Sequence, residues 1–507
     1  MKKLSFLLAS LLVAVSVQAQ KNESSSEQLV NTVPALQAQI KGLIDQPRFE
    51  HCMWGVKVVS LETGKVLFDR NGEKLLKPAS NAKMYTGALA LDRLGPDFRI
   101  KTSFYAQSKP DNGVVHGDLV VYGRGDPSLS WRFNDNDYSK SLQPVVDAFV
   151  AAGVKKVEGN LIGDESYFHC APYGSDWAWD DIQNYYGAPV SALNLDDNAI
   201  DLVFKPAKEL GQPSVVVMKP EATYLKVINR TKTVAKGKKS NVTIYRPLGQ
   251  NVVYFWGDVA IGGNVTDAVS IDNPALWYVT QLKKRLAKEG IEVTGGVSSV
   301  NWLDRQADPV DYTKMTAVVT VQSRTMAEIV KGCMKPSQNQ YAHLMLLQVG
   351  VNSSFAKDHQ FTDDAGIAEL RKFMSEIGQQ PGTVLLEDGS GLGRGGLVTA
   401  NASVKLLTAM SKHHCAAQFY DSLPIAGVDG TLKSRFKGTF AEKNIHAKTG
   451  SLRYVNTISG YVTDRGGEKL VFSVMLNNYA AGRDGSGRAE GDKVAKMIAD
   501  FAGRSDR

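Results

Sequence analysis

A change of pattern in the middle of the chain most limits how this protein can fold. Helical and strand-like patterns alternate up to about residue 101 and return from about residue 316. Between them, short β-like runs such as Asp118–Val121 and Val252–Phe255 are separated by turns rich in Gly, Pro and Asp. This pattern of short strands and turns is typical of a β-rich insertion rather than of continued helix packing. The sequence therefore predicts one or two small inserted domains over residues 102–307.

The composition excludes several classes of protein. The chain has 507 residues, of which 43% are hydrophobic and 22% charged. These values indicate a soluble globular protein and exclude a disordered, collagen-like or multi-span membrane chain. The formal net charge of +7 is small for this length. It does not indicate a nucleic-acid partner, but it is compatible with work near an anionic polymer or a membrane surface.

The first residues have the pattern of an export signal. Lys2 and Lys3 precede an apolar run from Leu4 to Val17, and small residues alternate at the end of that run. This pattern predicts a signal peptide over residues 1–19, cleaved after Ala19. The run is too short to span a bilayer comfortably. We therefore expect an exported, periplasmic, soluble mature protein.

The cysteines do not define a metal site. In an oxidising compartment the four of them could form up to two disulfides, in pairings that the sequence cannot rank. Three adjoin a histidine, but their spacing matches no zinc template. We therefore favour structural or free cysteines over metal ligands, and we expect no metal and no cofactor. The four are Cys52, Cys170, Cys333 and Cys415.

Two surface-type patterns each have two interpretations. The basic stretch from Lys226 to Lys239 could hold an anionic wall polymer, although such runs are usually solvated hairpin tips. The amphipathic helix predicted over Gly491 to Phe501 could touch a membrane, although packing onto its own sheet is the more common outcome. In both cases we favour the second interpretation.

The first candidate reactive group is Ser80-Asn81-Ala82-Lys83, at the start of a predicted helix. A spacing of three places the hydroxyl and the amine on one helix face, within mutual reach. The positive end of the helix dipole stabilises an oxyanion and disfavours a protonated lysine. We therefore expect Ser80 as nucleophile and neutral Lys83 as its base. Matches to the same spacing at Ser354 and Ser434 open no convincing helix and are interpreted as chance.

The second candidate is Ser337-Gln338-Asn339, which precedes a helix predicted from Gln340. Ser337 would relay protons, and the Asn339 amide would hold a substrate peptide group. A serine before a helix is ordinarily an N-cap. That alternative remains open for Ser337 taken alone.

The third candidate is Lys448-Thr449-Gly450-Ser451, inside a strand-like run from Ile445. A lysine charge and a threonine hydroxyl suit a substrate carboxylate, and Gly450 would let a substrate backbone lie close to the strand. The amide of Ser451 would donate to an oxyanion. Taken alone, the segment would be interpreted as a hairpin strand that ends in a turn.

Together, the three motifs match a known template. Their order is that of the S-x-x-K, S-D-N and K-T-G trio of class A β-lactamases and penicillin-binding proteins, with Gln338 in the middle of the second motif. Over almost all its mature length the chain resembles the low-molecular-mass penicillin-binding proteins of the D-alanyl-D-alanine carboxypeptidase/endopeptidase family (penicillin-binding protein 4 type). The 253 residues between Lys83 and Ser337 correspond to that family's large insertion, which minimal β-lactamases lack. One departure is His343, where an acidic residue is expected. The further segments similar to the family are Gly123–Leu129, Tyr185–Pro189 with Ser191–Leu193, Asp388–Leu392 with Val398–Thr399, and Leu423–Leu432.

The resemblance implies an α+β fold. A split serine transpeptidase/β-lactamase-like catalytic domain, formed by residues 28–101 and 308–507, would combine an antiparallel sheet flanked by helices with a helical half. The β-rich insertion would occupy residues 102–307. The active site would lie between the strand that carries Lys448 and the helical half that carries Ser80 and Ser337.

The resemblance also implies an activity. The protein would be a serine D-alanyl-D-alanine carboxypeptidase, and also a D,D-endopeptidase, acting on peptidoglycan stem peptides that end in D-Ala-D-Ala. Ser80 would form the acyl-enzyme, the amides of Ser80 and Ser451 would hold the oxyanion, and Lys448 with Thr449 would bind the terminal carboxylate. β-Lactam antibiotics would be covalent inhibitors. Peripheral association with a membrane or the cell wall is compatible with this activity, and no nucleic acid is expected.

Two alternatives remain open. A β-lactamase shares the trio, but class A enzymes deacylate with the glutamate of a Glu-x-x-Leu-Asn motif, which is absent between Asn339 and Lys448. A non-catalytic peptidoglycan-binding protein of the same fold is the other. The intact Ser80 and Lys83 argue against that second alternative.

Overall fold

The computed structural model describes residues 29–221, 224–480 and 486–506. The predicted signal peptide over residues 1–19 lies outside them. In chain order the α-helices of the described residues are α1 Val33–Ile44, α2 Ala82–Leu94, α3 Gln143–Ala151, α4 Pro274–Lys288, α5 Trp302–Ala307, α6 Met326–Met334, α7 Asn339–Asn352, α8 Thr362–Glu376, α9 Ala400–Met410, α10 Ala416–Ser422 and α11 Gly487–Asp500. The strands are β1 Met53–Ser60, β2 Val66–Arg70, β3 Lys101–Ala106, β4 Val114–His116, β5 Leu119–Tyr122, β6 Lys156–Glu158, β7 Leu161–Asp164, β8 Ala199–Lys205, β9 Val215–Lys219, β10 Lys226–Val234, β11 Asn241–Tyr245, β12 Val252–Ala260, β13 Val265–Ser270, β14 Glu292–Val293, β15 Val297–Val300, β16 Thr316–Gln322, β17 Val384–Leu385, β18 Leu397–Val398, β19 His446–Leu452, β20 Val455–Thr463 and β21 Lys469–Asn477.

A five-stranded antiparallel sheet joins the two ends of the chain. Its strand order is β19-β20-β21-β1-β2, so the C-terminal strands pair directly with the N-terminal hairpin. Helices α1 and α11 cover one face, where Val494 and Ile498 are fully buried. The amphipathic face of α11 therefore packs on its own sheet, as the favoured interpretation predicted. Among the described residues, no helix has the length and apolar character needed to cross a bilayer.

Helix α2 forms the centre of the helical half on the other face of the sheet. Every residue from Ala82 to Leu91 is buried, and the surrounding core includes residues of α6, α7, α8, α9 and α10. Tyr461 and Met475 of the sheet join the same hydrophobic cluster. Because close-packed neighbours leave α2 little freedom, the residues at its N-terminal end have fixed positions relative to the sheet.

The middle of the chain forms a structure with a core of its own. It contains the mixed sheet β15-β7-β5-β3-β16 and three smaller sheets, β14-β6-β4, β13-β8-β9 and β10-β12-β11. One continuous hydrophobic cluster includes these strands together with α3 and α4. The strand-rich texture was predicted from the sequence, but these two helices were not.

One strand pairing bears on where the insertion ends. Strand β16 begins at Thr316, beyond residue 307, yet it pairs antiparallel with β3 at the edge of the five-stranded mixed sheet. We therefore propose that the insertion extends to about residue 322. The division into a two-segment catalytic domain, residues 28–101 and 308–507, and an insertion otherwise stays a prediction.

The four cysteines are free thiols, so the possible disulfides left open by the sequence are not formed in this structure. His413, His414 and Cys415 bring three potential ligand atoms within 4.8 Å of one another. Both ring nitrogens of His413 are already engaged, one with Asp92 at 2.9 Å and one with the amide of Cys415 at 3.2 Å. This arrangement favours a structural role for the cluster.

Candidate active site

Ser80 lies in a short 3-10 turn, Ala79–Asn81, immediately before α2. Ala79 has a φ of 48°, a left-handed conformation that is unfavourable for a residue with a Cβ. Gly391 packs directly beneath this turn, and a Cβ at that position would lie 2.0 Å from the Ala79 carbonyl oxygen. Such strain persists only where the surroundings impose it, and it concentrates at functional sites.

The amine of Lys83 is the centre of a buried hydrogen-bond network. Its Nζ lies 2.8 Å from Ser80 Oγ, 2.6 Å from Asn339 Oδ1 and 2.8 Å from the Ser390 carbonyl oxygen. Lys83 is completely buried, and this burial lowers its pKa to about 8. The Asp388 carboxylate partly opposes the shift, whereas the nearby Cys333 is an uncharged thiol because burial raises its own pKa to about 11. At pH 7 roughly a tenth of Lys83 is therefore neutral, far more than at the usual lysine pKa.

Ser337 is held by the second lysine. Lys448 Nζ donates to Ser337 Oγ and to the Thr449 carbonyl oxygen, both at 2.8 Å. Burial lowers the pKa of Lys448 well below its usual value, and the charges of Lys83 and Arg435 act in the same direction. Ser337 has a φ of 69° and precedes Gln338, the N-cap position of α7, so it is not a simple N-cap.

Asn339 joins the catalytic helices to the inserted segment. Its Oδ1 accepts the hydrogen bond from Lys83, and its Nδ2 donates to the Tyr186 carbonyl oxygen at 2.7 Å. Since both ends of this amide are engaged, its orientation is fixed. In this structure the amide positions Lys83, and its contact with a substrate peptide group stays a prediction.

Strand β19 lies directly against the turn that carries Ser80. A Cβ on Gly450 would be 2.6 Å from the Pro78 carbonyl oxygen and 2.9 Å from the Ser80 amide nitrogen. Thr457 Oγ1 donates to the same Pro78 carbonyl at 2.9 Å. Only glycine allows the strand this close approach. The backbones of Ser80 and Ser451 thereby border one opening.

A cleft of about 550 Å³ opens between the sheet and the helical half. Ser80, Ser337, Asn339, Thr449 and Ser451 line it, whereas the buried amines of Lys83 and Lys448 lie behind its wall. The lining is strongly polar and carries both signs of charge. Its charged groups are Asp180, Asp181, Arg394, Arg435, Arg453 and Arg488.

At the threonine end of the cleft lie the two residues predicted to bind a substrate carboxylate, Lys448 and Thr449. The Lys448 amine contacts Ser337 in this structure, and its part in carboxylate binding stays a prediction. The hydroxyl of Thr449 lies at the cleft and is 2.7 Å from the hydroxyl of Thr431. Arg435 also lines the cleft, and Asp492 holds its guanidinium through Nε at 3.0 and 3.1 Å.

Sequence reasoning missed the loop that supports Lys83. Asp388 accepts hydrogen bonds from Trp177 Nε1 and from the Gly391 amide, both at 2.7 Å, and also binds Ser390 Oγ. This holds the Ser390 carbonyl against Lys83. The segment Asp388–Leu392 contributes to the family resemblance, but the sequence alone indicates no contact between this segment and Lys83.

His343, the departure from the family pattern, lies under the same loop. It is completely buried, its Nδ1 accepts from the Gly389 amide at 3.4 Å, and Trp177 packs edge-on against it at 5.9 Å. Burial lowers the pKa of His343. A neutral imidazole therefore takes the place of the expected acidic residue and still supports the loop.

The chance matches to the first motif lie outside this cleft. Ser354 begins a short 3-10 helix, Ser354–Lys357, and Ser354 and Lys357 are both exposed. Ser434 follows another 3-10 turn, Gly430–Leu432, rather than opening a helix. Ser80 is the match whose lysine is buried and hydrogen-bonded to the serine hydroxyl.

The fold and the cleft define a class of protein, the serine acyl-transfer enzymes of the penicillin-binding type. The family model described as the D-Ala-D-Ala carboxypeptidase 3 (S13) family matches residues 36–499, and the chain belongs to that family. It is 32% identical over 482 residues to a D-alanyl-D-alanine carboxypeptidase of Actinomadura sp., with 92% of this chain and 85% of the relative covered. It is 26% identical to D-alanyl-D-alanine carboxypeptidase DacB of Haemophilus influenzae, with 83% and 85% covered.

A solved structure has the same fold as this chain. The crystal structure of penicillin binding protein 4 from Haemophilus influenzae superposes with a TM-score of 0.75 at 24% identity, covering 92% of this chain and 99% of the other. The fold class expected from the sequence is thus confirmed. The inserted segment is part of the match, because the shared region covers nearly the whole chain.

Proposed function

We propose that this protein is a serine D-alanyl-D-alanine carboxypeptidase that removes the terminal D-alanine of peptidoglycan stem peptides. The observation that carries the proposal is the 2.8 Å contact between Ser80 Oγ and the buried, pKa-lowered amine of Lys83 at an open cleft. The activity named for the Actinomadura and Haemophilus relatives is the same. The roles of individual residues below belong to this proposal.

In the first half-reaction Ser80 Oγ attacks the carbonyl carbon of the penultimate D-alanine. Neutral Lys83 takes the hydroxyl proton, and the amides of Ser80 and Ser451 stabilise the oxyanion. The carbon–nitrogen bond then breaks, and the leaving D-alanine takes a proton delivered through Ser337. The Ser80 ester and free D-alanine are the products.

In the second half-reaction water attacks the ester carbonyl and gives a proton to Lys83. The bond between the carbonyl carbon and Ser80 Oγ then breaks, Lys83 returns the proton to Ser80 Oγ, and the shortened peptide leaves with a new C-terminal carboxyl group. Lys448 orients Ser337 by its 2.8 Å hydrogen bond, and Asn339 orients Lys83 in the same way. Thr449 is the group we assign to the terminal carboxylate of the substrate. Lys448, whose amine also holds Ser337, is assigned to the same carboxylate together with Thr449.

The same attack geometry would cleave a D-amino-acid cross-link, because the leaving group is again an amine on a D-residue. We therefore include D,D-endopeptidase activity in the proposal. β-Lactams present a strained amide in the position of the scissile bond, and they would acylate Ser80. Export to the periplasm, where the polymer lies, is part of the proposal and rests on the sequence of residues 1–19.

Intact mass spectrometry after penicillin treatment, followed by peptide mapping, tests the proposal. We expect one adduct per chain on the Ser80 peptide and no adduct in the Ser80→Ala variant. Ser354→Ala is the matched control, because Ser354 begins the exposed chance match, and it should label normally. A Ser80→Ala protein that labels at the wild-type stoichiometry would exclude Ser80 as nucleophile.

The same samples separate the two alternatives. Rapid nitrocefin turnover without a persistent adduct would indicate a β-lactamase. Binding of muropeptides without any release of D-alanine would indicate a non-catalytic wall-binding protein. Release of D-alanine from a pentapeptide together with a stable penicillin adduct is the result that we expect.

A further inference from the structure

The sheet β10-β12-β11 presents an aromatic outer face. Side chains alternate between the two faces of a strand, and Val253, Phe255 and Val259 of β12 are buried in the insertion core. Tyr254 and Trp256 point to the opposite face, and 44% of Trp256 is exposed. A strand face that points to solvent is ordinarily polar, so the position of these aromatic side chains requires an explanation.

The neighbouring strand extends this aromatic face. Tyr245 of β11 lies directly opposite Tyr254, with ring centroids 6.2 Å apart and ring planes 30° from parallel. Tyr245 is 44% exposed. Thr243 lies opposite Trp256 in the same register. We call Tyr245, Tyr254 and Trp256, with the cations of β10 described next, the outer sheet face.

Basic residues border the aromatic residues. In the register of the parallel pair β10 and β12, Arg230 lies beside Trp256 and Lys232 beside Asp258, and both cations are exposed. Residues 226–260 contain seven Lys and Arg and one carboxylate, a surplus of six on a chain whose net charge is +7. The exposed cations of this segment are Lys226, Arg230, Lys232, Lys236, Lys238 and Lys239. A solvated hairpin tip explains the positions of Lys236, Lys238 and Lys239. It does not explain the aromatic residues that lie beside the cations of β10.

The outer sheet face is joined to the wall of the catalytic cleft. Directly after Tyr245, the amide of Arg246 donates to Gln183 Oε1 at 3.1 Å, and its buried guanidinium donates to the Ile182 carbonyl oxygen at 3.2 Å. The preceding residue, Asp181, lines the cleft. The aromatic pair thus marks the end of the face nearest the cleft, and the lysine-rich turn marks the far end.

We propose that the outer sheet face binds the glycan strand of peptidoglycan. The apolar faces of sugar rings pack on aromatic side chains, as other flat apolar groups do. Carboxylates on the lactyl groups of the glycan and on its stem peptides complement the surplus of cations. The inference rests on the proposed function, which supplies the polymer, and adds a non-catalytic contact that holds a strand beside the cleft.

Co-sedimentation with peptide-free glycan strands prepared from peptidoglycan tests this inference. We expect the Tyr245→Ala/Trp256→Ala variant to bind roughly tenfold more weakly, from the loss of two stacking contacts. Lys226→Gln/Arg230→Gln/Lys232→Gln should weaken binding as well and reduce its dependence on salt. The matched control is Lys41→Gln/Lys65→Gln/Lys109→Gln, three exposed lysines elsewhere, which removes the same charge and should bind as the wild type.

Penicillin labelling and D-alanine release from a soluble pentapeptide, measured on the same samples, separate this inference from the proposed function. Both should stay at wild-type levels in the outer-face variants, because their substitutions lie outside the cleft. Unchanged glycan binding in both outer-face variants would overturn the inference and leave the proposed function standing. If the outer-face variants lose binding to single-stranded RNA or to anionic lipid vesicles but keep glycan binding, the inference is overturned in favour of another polymer or a membrane. A wild type that binds glycan but releases no D-alanine would instead refute the proposed function.

Discussion

At the scale of single residues, the proposed chemistry depends on the environment of one amine, that of Lys83. The helical spacing of Ser80 and Lys83 predicted their contact, and the structure places their side chains 2.8 Å apart. The spacing could not predict the burial that lowers the pKa of Lys83 to about 8, because the residues that enclose the amine come from distant segments. The degree of desolvation is a property of the packed core.

The first prediction concerns the pH dependence of acylation. Because only the neutral form of Lys83 accepts the Ser80 proton, the second-order rate of penicillin acylation should rise with pH and reach half its maximum near pH 8. Asp388→Asn removes a negative charge that stabilises the protonated amine, so the pKa of Lys83 should fall. The half-maximum should then move to a lower pH, whatever the variant does to the maximal rate.

Stopped-flow acylation over a pH series measures this shift. Asp126→Asn is the control, since Asp126 is equally buried but is not among the charges acting on Lys83. Its pH profile should match that of the wild type above pH 7. A half-maximum that stays near pH 8 in Asp388→Asn would show that the Asp388 carboxylate does not act on the base.

At the scale of secondary-structure elements, the site depends on one contact between a strand and a turn. Strand β19 and a helix beginning at Ser80 were each predicted with their motif, and the structure has a 3-10 turn, Ala79–Asn81, at the start of that helix. The distance between the strand and the turn was not predicted, because it is set by the packing of α2 in the helical core and by the pairing of β19 with β20. The close approach requires glycine at position 450, because no side chain fits between the two backbones.

The second prediction is that Gly450→Ala abolishes useful acylation while the protein stays folded. The added methyl group would meet the Pro78 carbonyl and the Ser80 amide and would push the strand away from the nucleophile. Loss of one oxyanion donor typically costs ~10²–10³-fold in rate, so we expect at least a ~10²-fold slower penicillin acylation. Circular dichroism would establish that the fold is kept.

Gly42→Ala provides the opposite case. Gly42 lies within α1, and a Cβ there would meet no atom within 4 Å. That substitution should leave acylation unchanged and stabilise the protein by about 0.5–1 kcal/mol, the usual gain in a helix interior. Rapid labelling of Gly450→Ala would show that the close approach of β19 is not required.

At the scale of the whole molecule, the insertion supports the site from behind. Asp197 of the inserted segment accepts hydrogen bonds from Gln338 Nε2 and from Tyr341 OH, each at 2.7 Å, and it also pairs with Arg132. These contacts hold the segment that carries Ser337 and Asn339. The insertion is therefore a structural part of the active site and more than an appended domain.

The third prediction is that Asp197→Ala weakens both stability and catalysis. It leaves Arg132 without its carboxylate in a mostly buried position, which should cost about 2–4 kcal/mol in the free energy of unfolding. Urea denaturation measures that loss. The penicillin acylation rate should also fall, because Gln338 and Tyr341 lose the group that anchors them.

Asp421→Ala is the comparison for this experiment. Asp421 forms an exposed ion pair with Lys331 at the surface, and such pairs contribute little. Its denaturation midpoint and acylation rate should remain those of the wild type. If Asp197→Ala unfolds at the wild-type urea concentration, the insertion does not brace the catalytic segment as proposed.

Local patterns in the sequence determined the elements and the reactive groups. Turn residues and apolar periodicity predicted the helix that begins at Ser80, the strand that carries Lys448 and the strand-rich insertion, because these features depend on neighbouring residues. The order of the three motifs, together with the family resemblance, then predicted the nucleophile, the base and the general fold. The contact between Ser80 and Lys83 could therefore be predicted from the sequence.

The tertiary structure alone decided which groups lie in the cleft and which lie behind it. Lys448 turned out to hold Ser337, the Ser390 carbonyl and Asp388 turned out to support Lys83, and Tyr186 turned out to anchor Asn339. Two of these three supports come from segments that carry no catalytic motif. They become neighbours only when the sheet, the helical half and the insertion pack together, and no local pattern records contacts between residues so far apart in sequence.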